Sequence, residues 1–513
     1  MRKRLLAVLA VAGLVLAGCS STNSSSNKSE RVLTIGVHAT PSTLDPSHND
    51  AAAITYALLY NVYETLLRVD GNGKLVPLLA KDYQVSADRK TYTFTLKDAK
   101  FASGTPVDGA AVAKSFNYLL TDKTVSPTRK QEMEALKAVK DLGGNKVQFE
   151  LSHPSNAWLY YLSSTAGIIY DPQALDKGDL ATKPAGSGPY TLKEWRQGEE
   201  IQLATNQKYW GVKPKVKGAT FRYFSDPNAM NTAMLSGSLD IISNLAAPQA
   251  LDKFSDDSRF KVLEGNTNGE VVMGMNQQRA ALKDKRVRQA INYAIDRKAV
   301  RDAVWAGKGL LIGSMVPPTD PWYEDLSTAY PLDREKAKKL LAEAGYAEGL
   351  TLKMRIPTLP YASGAATHIK SQLSKVGITL EIEQLEFPAR WIDEAMVKSN
   401  YDLTIVAHME PRDISRFTNN DYYWHYDSQQ FRDLYQKADE GTPEEQVKYM
   451  KEAAKVLSDD AAAGFLWVGA THAPNPSFLG LRPTLIGTKA DISGLAANVT
   501  GLSFDLSSIS YQS

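Results

Sequence analysis

The chain has 513 residues, 59 of them basic and 57 acidic, and 43% hydrophobic content, an ordinary globular composition long enough for two or three domains. The near-neutral balance excludes a basic field for nucleic acid and an acidic interaction tail. Cys19 is the single cysteine, which excludes an internal disulfide and any cysteine cluster for zinc or iron–sulfur.

Residues 2–4 are Arg2, Lys3 and Arg4, followed by an apolar and glycine run over residues 5–16. That run suits the hydrophobic region of a secretion signal and is too short to cross a bilayer core of ~30 Å. It closes on Leu16, Ala17, Gly18 and Cys19, which resembles the bacterial lipobox, whose cysteine thiol receives a diacylglyceryl group. The expectation is a signal peptide at 1–18 and a lipidated, Ser-rich tether at 19–30, anchoring the chain to the outer face of the cell membrane. Ten extended tether residues reach ~33 Å. Without the three signal cations the remaining balance is 56 basic to 57 acidic residues. No later apolar run reaches 18 residues, so no further membrane helix is expected.

From residue 31 onward, short strand patterns alternate with helical ones. Residues 31–37 read as a buried strand. Residues 91–96 (TYTFTL) and 145–151 (NKVQFEL) alternate with the period of two of a half-exposed strand. Further strands are expected at 201–206, 219–224, 350–356, 378–385 and 401–407. Asp108 is placed to cap a helix to about residue 120, and Asp333 to cap one over 334–344 that ends at Gly345. Residues 283–305 read as one long helix. Thr442, Pro443 and Glu445 form a capping box and open another, with Val447, Met450, Ala454 and Leu457 on one face. The mixture predicts an α/β fold.

Five segments in order resemble one family. They are PSTLDP (41–46), FASGTPVDGAAVAKSF (101–116), GSGPY (186–190), NQKYW (206–210), and Met275-Asn276 with DKRVRQAINYAIDR (284–297). Together they are similar to the extracytoplasmic solute-binding proteins of ABC importers, in the class that takes oligopeptides, dipeptides and nickel chelates. Most of these positions read as fold rather than ligand contacts, with Arg286 and Arg288 expected in surface or lobe-bridging pairs. The resemblance implies a two-lobed periplasmic-binding-protein fold (type II, cluster C). Lobe I would take residues 31–62, 185–275 and 476–513, an inserted domain 63–184, and lobe II 276–475.

By the same resemblance, the protein captures peptides by hinge closure and passes them to ABC permease subunits with separate ATPase subunits. It would act as a monomer, without cofactor, structural metal or nucleic acid. No phosphate loop of the GxxxxGK(S/T) type is present, so ATP hydrolysis belongs to another chain. A hydrolase is the third class considered, but there is no GxSxG, no HExxH and no cysteine after Cys19.

The ligand is expected at residues 401–427, after a strand end, where loops commonly carry function. Peptide-binding relatives place an aspartate for the peptide amine near here, at positions that are Ala407 and His408 in this chain. Glu410 is the substitute negative charge. Arg412 is the choice for a ligand carboxylate, since its planar fork matches that group. Tyr422, Tyr423 and Trp424 can stack on a ligand or simply pack. His408 and His425 suggest a metal chelate, nickel or an opine-like metallophore, as the alternative cargo. His38, directly after the first strand, completes the candidate set.

Overall fold

A computed structural model describes residues 31–38, 40–70, 73–243, 248–263, 268–468, 486–495 and 503–511. Residues 1–30, with the expected signal, Cys19 and tether, lie outside this set, as does the expected lobe boundary at 476. Among the described residues no helix is long and apolar enough to cross a membrane.

Three sheets organise the molecule. The first has seven strands, in the order Tyr190–Arg196, Glu200–Thr205, Gly218–Tyr223, Val32–Val37, Ile241–Ile242, Ile486–Lys489 and Phe260–Leu263. Val32–Val37 sits near its centre, parallel to Gly218–Tyr223, with Val32 opposite Gly218. Leu33, Ile35, Ile201, Leu203, Ala219 and Phe221 form one core with Tyr190 and Phe504. The second sheet has five strands, in the order Ile378–Leu385, Leu350–Pro357, Leu403–His408, Glu270–Met275 and Gly464–Val468. The third is antiparallel: Ala80–Val85, Thr91–Leu96, Lys146–Leu151 and Leu136–Gly143. The helix Gly109–Thr121 packs on it, with the Phe116 and Phe149 rings edge to face at 4.9 Å.

The expected strands are all present within a residue or two. Asp108 accepts from the Ala111 N–H, Asp333 from Lys336, and Thr442 with Glu445 closes the capping box of Pro443–Asp459. Each such cap stabilises its helix by ~1 kcal/mol. The expected single helix over 283–305 is two, Lys285–Ala294 and Arg297–Trp305. Ile295 is extended between them, and Asp296 caps the second by accepting from the Ala299 N–H at 2.9 Å. An aspartate that satisfies helix-start donors competes with continued helix, which is why the apolar period alone overran the break.

The lobe boundary is expected after residue 275, next to a strand that belongs to the second sheet. Glu270–Met275 lies inside the five-stranded sheet, hydrogen-bonded to Leu403–His408 on one side and Gly464–Val468 on the other. Val271, Val272, Met273 and Met275 are fully buried, so this strand is apolar on both faces and fits only a sheet interior. The chain therefore crosses between the first two sheets twice, between Leu263 and Glu270 and between Val468 and Ile486. The strands flanking each crossing are antiparallel pairs, Leu263 opposite Ile486 and Glu270 opposite Val468.

The segments shared with the family hold the fold together. Ser187 Oγ (2.7 Å), Trp210 Nε1 (2.9 Å) and Tyr209 OH (2.9 Å) all donate to the buried Glu64 carboxylate. Burial pushes that carboxyl up to about 7, against the three donors. Gly186 and Gly188 lie flat against the Val62 and Asn61 carbonyls, where a Cβ would sit 2.2 and 2.4 Å from oxygen. Asn61 in turn donates to the Phe504 carbonyl and accepts from the Leu506 N–H, tying down the C-terminal segment. Arg288 is 5% exposed and donates to the Leu282, Lys283, Asp460 and Ala461 carbonyls. It fastens loops to its own helix rather than bridging lobes. Arg286 pairs locally with Asp284 at 2.6 Å.

Candidate functional site

The candidate site grows from two adjacent strands. In an antiparallel pair, directly opposed residues share a face. Glu270 faces His408, Val272 faces Val406, and Gly274 faces Thr404. Val271, Met273, Leu403 and Ile405 point the other way, into the core beneath the helices. The first face is covered by aromatic side chains. Trp424 lies against Gly274, where a Cβ would come within 2.8 Å of the indole, and stacks on Phe417 at 4.2 Å. Trp391 Nε1 donates to Thr404 Oγ1. Along this face the side chains turn from apolar to polar toward one end, and that end carries Glu270 and His408.

His408 is fixed from both ring nitrogens, to Asp413 Oδ2 (3.1 Å) and to the Tyr423 hydroxyl (2.8 Å). One atom each of His408, Glu410 and Asp413 lie within 4.8 Å of one another. Arg416 stands 4.0 Å from Asp413. Burial pushes the Glu410 carboxyl up, but His408, Arg416 and backbone N–H groups outweigh it and hold it below the usual carboxylate range. Asp413 goes the other way, raised by burial and by the Glu410 charge.

Arg412 has a left-handed backbone, φ 62°, and begins the turn Asp413–Thr418. Its guanidinium lies 3.6 Å over the Tyr160 ring and 4.7 Å over that of Trp322. Such cation–π contacts contribute ~0.5–2 kcal/mol each. Tyr160 belongs to Asn156–Tyr161, a helix in the segment that carries the third sheet, so Arg412 bridges two bodies of the molecule. Its charge also reaches Asp320, whose carboxyl burial raises to about 6.

The same two bodies meet at a reciprocal set of helix caps. The Ala157 N–H donates to Asp439 Oδ1 (2.6 Å) in the helix Gln429–Glu440. Asn156 Nδ2 donates back to the Ala438 (3.0 Å) and Gly441 (2.9 Å) carbonyls at that helix's end. Arg89 donates to the Glu440 and Gly441 carbonyls and to Asn156 Oδ1. Beside this contact is a cavity of about 130 Å3, lined by Glu132, His153, Tyr161, Arg416, Tyr435 and Asp439 among others. A smaller one of about 50 Å3 brings Asp50 and Arg129 to Glu410 and Arg416.

Of the residues singled out from sequence, His408, Glu410, Arg412, Tyr422, Tyr423 and Trp424 are gathered at one end of the second sheet. Tyr423 and Trp424 are each 1% exposed and pack in the core, while Tyr422 is half-buried beside them. His425 turns instead to Ser399 Oγ (2.8 Å) and the Asn420 carbonyl, apart from His408. His38 is half-exposed at the end of Val32–Val37 in the first sheet. Sequence reasoning passed over Glu270, Asp320, Trp322 and Tyr160. Only Glu270 had a local signal: a carboxylate opening the otherwise apolar run EVVMGM.

Residues 74–423 match the family profile of bacterial extracellular solute-binding proteins, family 5, middle region. The probable D,D-dipeptide-binding periplasmic protein DdpA of Escherichia coli K12 is 28% identical over 472 residues, covering 85% of this chain and 88% of that protein. The fold is similar to that of AgaA from A. tumefaciens R10 in complex with agropinic acid, with TM-score 0.79 at 23% identity, covering 94% of this chain and 99% of that one. It is also similar to NikA of Staphylococcus aureus in complex with Ni(L-His)2, with TM-score 0.77 at 20% identity, covering 93% and 99%.

Proposed function

The chain belongs to the bacterial extracellular solute-binding proteins of family 5, and from that premise we propose that it is a lipid-anchored receptor for short peptides. Members of this family bind solutes and are not enzymes. In this reading, Cys19 carries the lipid and residues 20–29 tether the two-lobed body. The solute enters between the lobes, which close about it by a hinge motion. The closed form then docks on ABC permease subunits that work with separate ATPase subunits. Lobe I comprises 31–62, the strands from 185 to 263 and the C-terminal segment; 63–184 is inserted in it, and lobe II begins before Glu270. His38, Glu410, Arg412 and Tyr422 line the cleft, with His408, Tyr423 and Trp424 behind them.

The observation that carries this reading is Arg412. It is held between Tyr160 and Trp322, one ring from each side of the proposed cleft, and among the described residues its Nε has no hydrogen-bond partner. Closure is favoured only by contacts that exist in the closed state, and this arrangement supplies one. The likeness to DdpA, a probable D,D-dipeptide-binding protein, supports a peptide as the cargo. A second reading, a nickel chelate or opine-like metallophore, is favoured by the proximity of His408, Glu410 and Asp413.

A thermal-shift screen with peptide pools, single amino acids, and Ni2+ with and without histidine separates the two. A ligand at a hundred times its Kd stabilises by ~2.7 kcal/mol. A shift with the metal chelate and none with peptides of any length refutes the peptide assignment. For the anchor, Cys19→Ala should move the protein from the membrane fraction to the medium or periplasm and abolish labelling by radioactive palmitate. Unchanged membrane retention rules the lipid anchor out.

A further inference from the structure

Two buried carboxylates at the candidate site each leave one oxygen without a hydrogen bond among the described residues. Glu270 is 1% exposed, and its Oε2 makes no hydrogen bond. Asp320 is 9% exposed, and its Oδ2 makes none. A buried polar oxygen without a hydrogen bond is costly in a folded protein, so such groups commonly mark function.

The two belong to one locus. Glu270 shares a sheet face with His408, its opposite number in the strand pair, and His408 is bonded to Asp413. The Glu270 carboxyl feels the charges of Asp413, Asp320 and Glu410, all of them negative. Thr319, next to Asp320, donates to Asn268 Oδ1 (3.0 Å), two residues before Glu270. The locus also borders the other body: the Thr319 carbonyl lies where a Cβ on Gly73 would be 2.6 Å away, and Trp322 shares Arg412 with Tyr160.

The charges do not balance. Arg416 and His408 compensate Glu410 and Asp413. Arg412 acts on Asp320 from a distance while stacked between two rings. Among the described residues, no cation compensates Glu270. What is missing is a positive group with N–H bonds to give. The rings of Tyr160 and Trp322 beside this locus already hold one cation, Arg412, against their faces.

We infer that Glu270 and Asp320 form a cation subsite of the cleft, taking a protonated amine or guanidinium of the captured solute. The inference rests on the solute-binding reading. It places the positive end of the solute at the strand end of Glu270, beside the lobe crossing, instead of at the loop position where Ala407 and His408 stand. Arg412, which also acts on Asp320, is the group for a negative end of the same solute.

The test compares the wild-type chain with Glu270→Gln and Asp320→Asn in three thermal-shift and calorimetric arms. One arm is a tripeptide pool with free amines. The second is the same pool N-acetylated and without Lys or Arg. The third is arginine, agmatine and putrescine, which contain no peptide bond. The expected result is binding of the free-amine pool and not of the acetylated pool, weakened at least tenfold in Glu270→Gln. Both variants should melt close to wild type in buffer, since each exchanges a buried carboxyl for an amide of the same shape, so a loss of binding is not a loss of fold. If only the third arm binds, and Glu270→Gln abolishes it, the cation subsite stands and the peptide reading falls. The subsite is overturned if Glu270→Gln binds within twofold of wild type, or if the acetylated pool binds as tightly as the free one. A shift by divalent metal ions alone that Glu270→Gln removes, or no shift in any arm, overturns it as well.

Discussion

Asn156→Ala should open the molecule without touching the solute. Asn156 donates to the Ala438 and Gly441 carbonyls and accepts from Arg89 at 2.6 Å. All three bonds lie where the segment bearing the third sheet meets the end of Gln429–Glu440. A protein hydrogen bond contributes ~1 kcal/mol net, and discounting these for partial exposure leaves about 2 kcal/mol for the three together. That difference applies to the closed state alone, because separated lobes return these groups to water. At 1.4 kcal/mol per tenfold, the closed population falls about 30-fold. Alanine is acceptable at the first helical position, and Ser155 still caps the helix by accepting from the Trp158 N–H, so the local fold should survive. Small-angle scattering of the ligand-free protein reads the open fraction, and titration calorimetry with the solute found by screening reads the affinity. A free protein that is already open shows the whole effect as an increase in Kd of about 30-fold; a free protein that is closed shows it as a larger radius of gyration. A Kd within twofold of wild type together with an unchanged radius refutes the reasoning that these caps favour closure.

Other consequences concern the fold around the site. Burial holds the Glu64 carboxyl at about 7, above its ordinary value of 4.5. A raised carboxyl pKa means its contribution is fully present below pH ~4.5 and is lost as the pH rises through ~7, by about 3 kcal/mol at 1.36 kcal/mol per unit. Subtracting the Glu64→Gln urea stabilities from wild type at each pH should isolate that slope, and a flat difference between pH 4.5 and 8 contradicts it. Gly188→Ala places a Cβ 2.4 Å from the Asn61 carbonyl, so the unfolding free energy should drop by at least about 2 kcal/mol, read as a lower urea midpoint at constant m-value. A neutral result means the turn can move away from Asn61 at little cost.

Much of this protein is written in short-range chemistry. The charged and apolar run at residues 2–16 with the cysteine after it, the strand periods at 91–96 and 378–385, and the caps at Asp108, Asp333 and Thr442 each depend on a few neighbouring residues. They could be read without knowing what lies across the molecule. The family segments were legible for a related reason: Gly186, Gly188, Tyr209 and Trp210 stand in fixed local patterns. What those patterns accomplish was not legible, because they converge on Glu64, more than 120 residues earlier, and only folding brings the three donors to one carboxylate. The break at Ile295 escaped the apolar period because an aspartate can cap a new helix as readily as decorate an old one. The sheet that Glu270–Met275 joins was not legible either, because strand partners decide membership of a sheet and both of its partners lie beyond residue 400. The candidate site shows the same division. The sequence by itself determined which residue types crowd 401–427. Tertiary structure alone decided that Tyr423 and Trp424 pack inward, that Arg412 lies between rings from two bodies, and that Glu270 and Asp320 face the same locus. Burial and charge balance are properties of an assembled surface, and no window of neighbouring residues contains them.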